Sequence, residues 1–173
     1  MEVGFGKFKT KKLIFCYCVT HCQGDEVITI RAYEGKKDRE ALIRMYKAFS
    51  PGDRTLGLPP DNVEDLKKWI ENLSKSGISL LAELDGKVVA HLAAVPEGSE
   101  IHLMLFVHPE YQNNGIGQKM VSFVVEQLKD SGYERLIVTT DRTNKKAIHV
   151  FEKAGFIIKS VGFEYEMCLP LFF

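Results

Sequence analysis

The sequence predicts a mixed α/β domain, a sheet with helices packed on its faces, and three observations carry that expectation. Apolar residues alternate along the chain between helical spacing and short β-branched or aromatic runs. Turn signals such as Asp85-Gly86 join consecutive runs, which makes that part of the sheet antiparallel. A glycine-bearing junction, Val107–Gln118, leads directly from a buried strand into a helix.

Taken in order, Leu13–Val19 and Val27–Tyr33 flank Gln23-Gly24-Asp25 and read as a hairpin whose first arm extends the core domain. Residues 1–25 form this extension and 26–173 the domain proper. Asp38 is positioned to cap an amphipathic helix, Asp38–Phe49, with Leu42, Met45, Tyr46 and Phe49 on its buried stripe. Ser50 to Pro60 is a loop by composition. Asp61 with Glu64 resembles a capping pair for a second helix, in which Val63, Leu66, Ile70 and Leu73 recur before Gly77 ends it. Ile78–Leu84, Lys87–Val95 and Ile101–Val107 follow as a three-strand meander with turns at Asp85-Gly86 and Pro96-Glu97-Gly98. A helix from Gly115 to Ser131, a strand Leu136–Thr140, a helix Lys145–Ala154 closed by Gly155, and a hairpin of Phe156–Val161 with Phe163–Leu169 complete the chain.

A length of 173 residues fits one domain, and 23 basic residues balance 23 acidic ones. A neutral chain lacks the basic surface that phosphate backbones demand, so nucleic acid is not expected as a partner. The longest uncharged apolar stretch, Ile101–Pro109, falls short of a membrane span. Lys7, Lys9, Lys11 and Lys12 before Leu13–Thr20 resemble a signal peptide superficially, but no small-residue cleavage site follows, and the expectation is a cytoplasmic protein. Cys16, Cys18 and Cys22, with His21, lack the spacing of structural zinc sites, and Leu13–Val19 reads as a strand whose cysteines act as small hydrophobes; no metal is expected.

The chemistry concentrates at the strand-to-helix junction. First-turn N–H groups of a helix have no helical acceptor, and such a terminus, with glycines around it, suits a pyrophosphate. The segment lacks the Gly-Lys-Ser/Thr ending of a P-loop and the first glycine of a dinucleotide fingerprint.

Here the sequence resembles the GNAT acetyltransferase superfamily, in which a strand ending V-x-P leads into Q/R-x-x-G-x-G/A and a long helix. Val107, Pro109, Gln112, Gly115 and Gly117 match that pattern, and Asn144 through Phe156 is similar to the family's N-x-x-A-x-x-x-Y-x-x-x-G-F segment. The resemblance covers roughly Val27 to Leu169. It implies a mostly antiparallel sheet of about seven strands with helices on both faces, beside the N-terminal hairpin arm. It also implies acetyl-coenzyme A as cosubstrate and an amine as acceptor, either a small molecule or a protein lysine or N-terminus, and leaves a homodimer open.

By the same resemblance the pyrophosphate contacts the loop Gln112, Asn113, Asn114, Gly115, Ile116, Gly117 and Gln118. The pantetheine arm runs between the splayed strands Ile101–Val107 and Leu136–Thr140, bonded by backbone groups of Phe106 and Val107 and by Asn144, which equally reads as a plain helix cap. Phe151 stands where many relatives carry a tyrosine that protonates the departing thiolate, so it can pack but not donate, and Tyr165 is a conceivable substitute. This gap gives a second hypothesis, a non-catalytic acetyl-CoA-binding module. An alkylammonium, with a reference pKa of about 10.4, needs a base before it can attack. Glu100, His102 and Glu83 are the candidates. Glu64, Asp65, Glu164 and Glu166 are acidic residues able to attract a cationic acceptor.

Overall fold

Asp85 and Gly86 both take positive φ, 49° and 74°, the combination a two-residue primed turn needs. They close a tight hairpin between β3 (Ile78–Leu84) and β4 (Lys87–Glu97). The computed structural model describes residues 17–20, 27–49 and 59–171. Its remaining elements are β1 (Tyr17–Thr20), β2 (Val27–Ala32), α1 (Lys36–Lys47), α2 (Val63–Ser76), β5 (Glu100–Val107), α3 (Ile116–Leu128), β6 (Arg135–Asp141), α4 (Lys145–Lys153), β7 (Ile157–Val161) and β8 (Glu164–Pro170). Among the described residues the strands form one eight-stranded sheet in the order β1-β2-β3-β4-β5-β6-β8-β7. The expected mixed sheet is thus present, with β1 added antiparallel to β2 as the arm. Cys16, Cys22 and Ser50 to Leu58 lie outside the described residues.

Strand alternation sorts the core into two layers. Leu80, Ala82, Leu92, Leu103, Leu136, Val138 and Met167 pack with Ile116, Met120, Val124, Ile148 and Phe151, so α3 and α4 cover one face. Leu81, Val88 and Phe106 point the other way and meet Leu42, Met45, Tyr46, Leu66 and Ile70 of α1 and α2.

Two caps differ from expectation. The first helix begins at Lys36, after Gly35, and Asp38 lies inside the first turn rather than before it. There its carboxylate accepts from both terminal nitrogens of Arg31, at 2.6 and 2.7 Å, and from Glu34 N–H. The Arg31 guanidinium holds the Asp38 carboxyl below the usual carboxylate range, and Asp38 is buried because that pairing offsets its desolvation. The second helix is capped by Asn62, whose side chain accepts from Glu64 N–H at 2.8 Å and Asp65 N–H at 3.3 Å; the residue directly before the helix, not Asp61, has the right reach. Gly77 does end α2, but for a packing reason: a Cβ there would lie 2.1 Å from the Ala94 carbonyl oxygen of β4. Pro96 remains in the ladder opposite Ile101, which moves the second meander turn to Gly98-Ser99.

The feature that positions the site is β5. It pairs antiparallel with β4 along its whole length but parallel with β6 only through Glu100↔Arg135, Ile101↔Leu136 and His102↔Ile137. Beyond His102 the two strands part, and an opening runs into the middle of the sheet.

Candidate active site

Which backbone groups face that opening follows from alternation. His108 N–H donates to Val89 O at 2.8 Å, toward β4, and Glu134 N–H donates to Ser99 O at 2.8 Å, on the β6 side. N–H and C=O of a strand residue point the same way and reverse at the next residue. Leu105 and Val107 therefore aim their N–H groups into the opening, whereas Met104 and Phe106 are committed to β4. The acceptance of Gln112 Nε2–H by Val107 O at 3.1 Å fits this assignment. Phe106 accordingly departs from expectation: its backbone faces away, and its ring contributes instead. Leu105 is the position that sequence reasoning missed, because the phase of the ladder is invisible without register.

The opening ends at the glycine loop. A 3-10 turn, Pro109–Tyr111, follows β5, with His108 Nδ1 accepting from Glu110 N–H at 3.2 Å. Asn113 and Gly115 take φ of 65° and 72°, and Asn114 and Gly115 are exposed. The first α3 bond is Lys119 N–H to Gly115 O, so the amides of Ile116, Gly117 and Gln118 precede it, with no acidic side chain in the first turn to oppose an anion. The two glycines have different reasons. Gly115 needs left-handed backbone and has nothing within 4 Å of its missing Cβ, while a Cβ at Gly117 would meet Leu105, Val107 and Val150 side chains at 3.3 to 3.7 Å. Gly117 thus lets α3 approach β5 and α4; the open space lies at Gly115.

Asn144 caps α4, accepting from Ala147 N–H at 3.1 Å. Lys145 and Lys146 occupy the first two positions of that helix, where the macrodipole disfavours cations. Lys146 Nζ donates to Gln112 Oε1 at 2.8 Å, which brings a positive charge to the glycine loop. This contact was not foreseen, since residues 34 positions apart show no periodic signal. Phe151 is buried against Phe156, ring centroids 5.2 Å apart, on the α3/α4 face. Tyr165 packs on the same face, beneath the Arg142 guanidinium at 5.4 Å.

The three candidate bases are dispersed. Glu83 binds Arg31 Nη2–H at 2.5 Å and completes an Asp38–Arg31–Glu83 ion triad on the α1/α2 face. Glu100 is ion-paired with Arg135, seven residues from Val107 and so roughly 23 Å along the strand. His102 stands at the apex of the opening, half-buried, with Nε2 at 3.3 Å from Glu97 Oε2 and 3.9 Å from Glu100 Oε2. Glu64 and Asp65 are engaged by Lys67 and Lys68 of their own helix. Glu164 and Glu166 have no ion-pair partner among the described residues.

No group of His, Cys, Asp or Glu side chains able to hold a metal occurs among the described residues. Cys168 is a buried free thiol. No helix there is long and apolar enough to cross a membrane.

A sheet opened between two parallel strands, ending at free helix amides, suits a coenzyme with a strand-like arm and a pyrophosphate. The family model of the GNAT acetyltransferases matches residues 39–156, and the chain belongs to that family. An L-amino acid N-acyltransferase of Escherichia coli is 22% identical, over 61% of this chain and 67% of the relative. A mycothiol acetyltransferase of Thermomonospora curvata is 26% identical over 83% of this chain, which spans about half (48%) of that relative. An acetyltransferase of Salmonella typhimurium, solved with its cofactor acetyl-CoA, superposes with a TM-score of 0.66 at 20% identity, covering 83% of this chain and 94% of that one.

Proposed function

We propose that this chain transfers the acetyl group of acetyl-coenzyme A to a primary amine by direct attack within a ternary complex. The observation that carries the reading is the unpaired edge of β5, where Leu105 and Val107 N–H groups face an opening that leads to the Gly115 loop. A pantetheine arm carries amides that can bond such an edge as a strand would, and its pyrophosphate suits the amides of Ile116, Gly117 and Gln118. Lys146 adds a cation there. A donor directed at the thioester oxygen stabilises the charge that develops on attack. His102 is the best-placed proton acceptor of the three, since it opens onto the α1/α2 face at the apex, with two carboxylates to hold its ring. Glu83 would have to leave Arg31, and Glu100 would have to leave Arg135. The leaving thiolate takes its proton from solvent, because Phe151 has none to give.

Phe151 also supports a second reading, cofactor binding without turnover. Release of coenzyme A, followed with a panel of amines for wild type and Gly115→Asp, separates the two. Aspartate tolerates left-handed backbone and fits the open space, but its charge opposes a pyrophosphate. The expected result is amine-dependent release that Gly115→Asp lowers at least tenfold through cofactor KM. Saturable cofactor binding with no amine consumed would establish the second reading, and unchanged affinity in a folded Gly115→Asp variant would remove the pyrophosphate assignment.

A further inference from the structure

The opening has two unlike walls on the α1/α2 face, and their contrast specifies an acceptor. On the β5 side the half-buried Phe106 ring is set edge-to-face against Tyr46 at 5.4 Å, Trp69 at 5.8 Å and Phe49 at 6.4 Å. Trp69 is itself half-buried, and so is Met104, two residues earlier on the same face of β5. Beneath them Tyr46 is anchored by its hydroxyl to His91, so the wall is fixed rather than adaptable. Its accessible surface is apolar and aromatic, from Met104 and Phe106 of β5 and Trp69 of α2, backed by the buried Tyr46 and Phe49.

The β6–β8 side is different. Leu136, Val138 and Met167 face α3 and α4, so by alternation Thr139 and Asp141 of β6 and Glu164 and Glu166 of β8 face the other way. The register pairs Thr139 with Glu166 and Asp141 with Glu164. Asp141 is occupied by Thr143, whose N–H and hydroxyl it accepts, but Glu164 and Glu166 have no cation within ion-pair distance among the described residues. Arg142, the nearest guanidinium in sequence, is held by Gly162 O at 3.1 Å and stands over Tyr165 on the opposite face. Two carboxylates without an ion-pair partner among the described residues thus stand on β8, one strand beyond the β6 edge of the opening, on its α1/α2 face.

We propose that the acceptor is a small primary amine on an aromatic or bulky apolar body, with no carboxylate beside the nitrogen: an arylalkylamine rather than a free α-amino acid. The proposal rests on the acetyl-transfer reading and narrows its substrate. The amine arrives as an ammonium, which Glu164 and Glu166 attract, while the aromatic wall buries the body and can stack against it. A carboxylate on the adjacent carbon would meet the same two glutamates, which no cation among the described residues neutralises. Free α-amino acids are therefore discriminated against by repulsion as well as by a missing contact.

The test compares 2-phenylethylamine, phenylalanine, phenylalaninamide and ethylamine as acceptors at saturating acetyl-CoA. The expected kcat/KM is at least tenfold higher for 2-phenylethylamine than for phenylalanine or ethylamine, with phenylalaninamide close to 2-phenylethylamine. Trp69→Ala should raise KM for 2-phenylethylamine at least fivefold while acetyl-CoA affinity stays at the wild-type value. Glu166→Gln should narrow the gap between 2-phenylethylamine and phenylalanine. Phenylalanine matching or exceeding 2-phenylethylamine would overturn the acceptor assignment and leave acetyl transfer standing. Ethylamine matching 2-phenylethylamine would remove the aromatic wall from the argument and overturn it too. No acetylation of any amine, with acetyl-CoA still bound, would refute the transfer reading itself.

Discussion

At the residue scale, His91 is a fully buried imidazole between two hydroxyls: Tyr46 Oη lies 2.5 Å from Nδ1 and Ser79 Oγ 2.8 Å from Nε2. A neutral ring carries one N–H, so one nitrogen donates and the other accepts, and the two hydroxyls satisfy either tautomer. Burial pushes the His91 pKa down to about 3, from 6.5 for a solvated histidine, because a charged ring would be desolvated. The unfolded chain therefore binds a proton that the folded one refuses, between pH 6.5 and about 3. Stability is complete above pH 6.5 and falls as the medium is acidified, by at most about 1.4 kcal/mol per pH unit from this group. Buried carboxylates such as Asp38 add to acid sensitivity, so the contribution of His91 is the difference between wild type and His91→Asn. Urea midpoints from pH 7 to 4 should fall less steeply in the variant, though it starts lower; parallel slopes would show that the ring titrates normally. Neither this triad nor Asp38–Arg31–Glu83 was legible in the sequence. Each is completed by a bond spanning 52 or 45 positions, Arg31 to Glu83 and Tyr46 to His91, and helical or strand periodicity records only which face a residue takes.

At the scale of elements, the amino end of α4 is the informative one. Two lysines in its first turn oppose the helix dipole, a placement that a bound anion would offset. Lys146→Gln should keep a bond to Gln112 but lose the charge. The expected outcome is a three- to tenfold rise in KM for acetyl-CoA at low ionic strength that shrinks as salt is raised, with kcat little changed. A salt-independent effect would mean that Lys146 acts by positioning Gln112. Element identity itself was readable in advance. The stripes Leu42-Met45-Tyr46 and Ile116-Met120-Val124 are buried as their spacing requires, and the Asp85-Gly86 turn dictates its own hairpin. Caps were misplaced by three residues and by one, because Asp38 and Asp61 suit an N-cap as well as Gly35 and Asn62 do until the chain path is known.

For the whole molecule, the sheet is divided in function along β5. From β1 to β4 every ladder is closed, and α1 with α2 packs against it. From β6 to β8 a second antiparallel unit hangs on the first by three parallel residue pairs. The family motif places the glycine loop from sequence alone, whereas the outlook of each β5 amide depends on the register against β4, which no motif encodes. That alternation has a signature in solvent exchange of backbone hydrogens. Along one continuous strand, the deuterium uptake of Leu105 and Val107 should be fast, while Met104, Phe106 and His108 exchange slowly behind their bonds to β4. Adding coenzyme A should slow the fast pair and leave the slow set almost unaltered, turning a strand with a two-residue rhythm of protection into one protected throughout. Uniform protection before the ligand is added would mean that the opening is closed in solution. The measured rhythm, read residue by residue, would therefore report the ligand as a missing strand of the sheet, filling the place between β5 and β6 that the polypeptide leaves open.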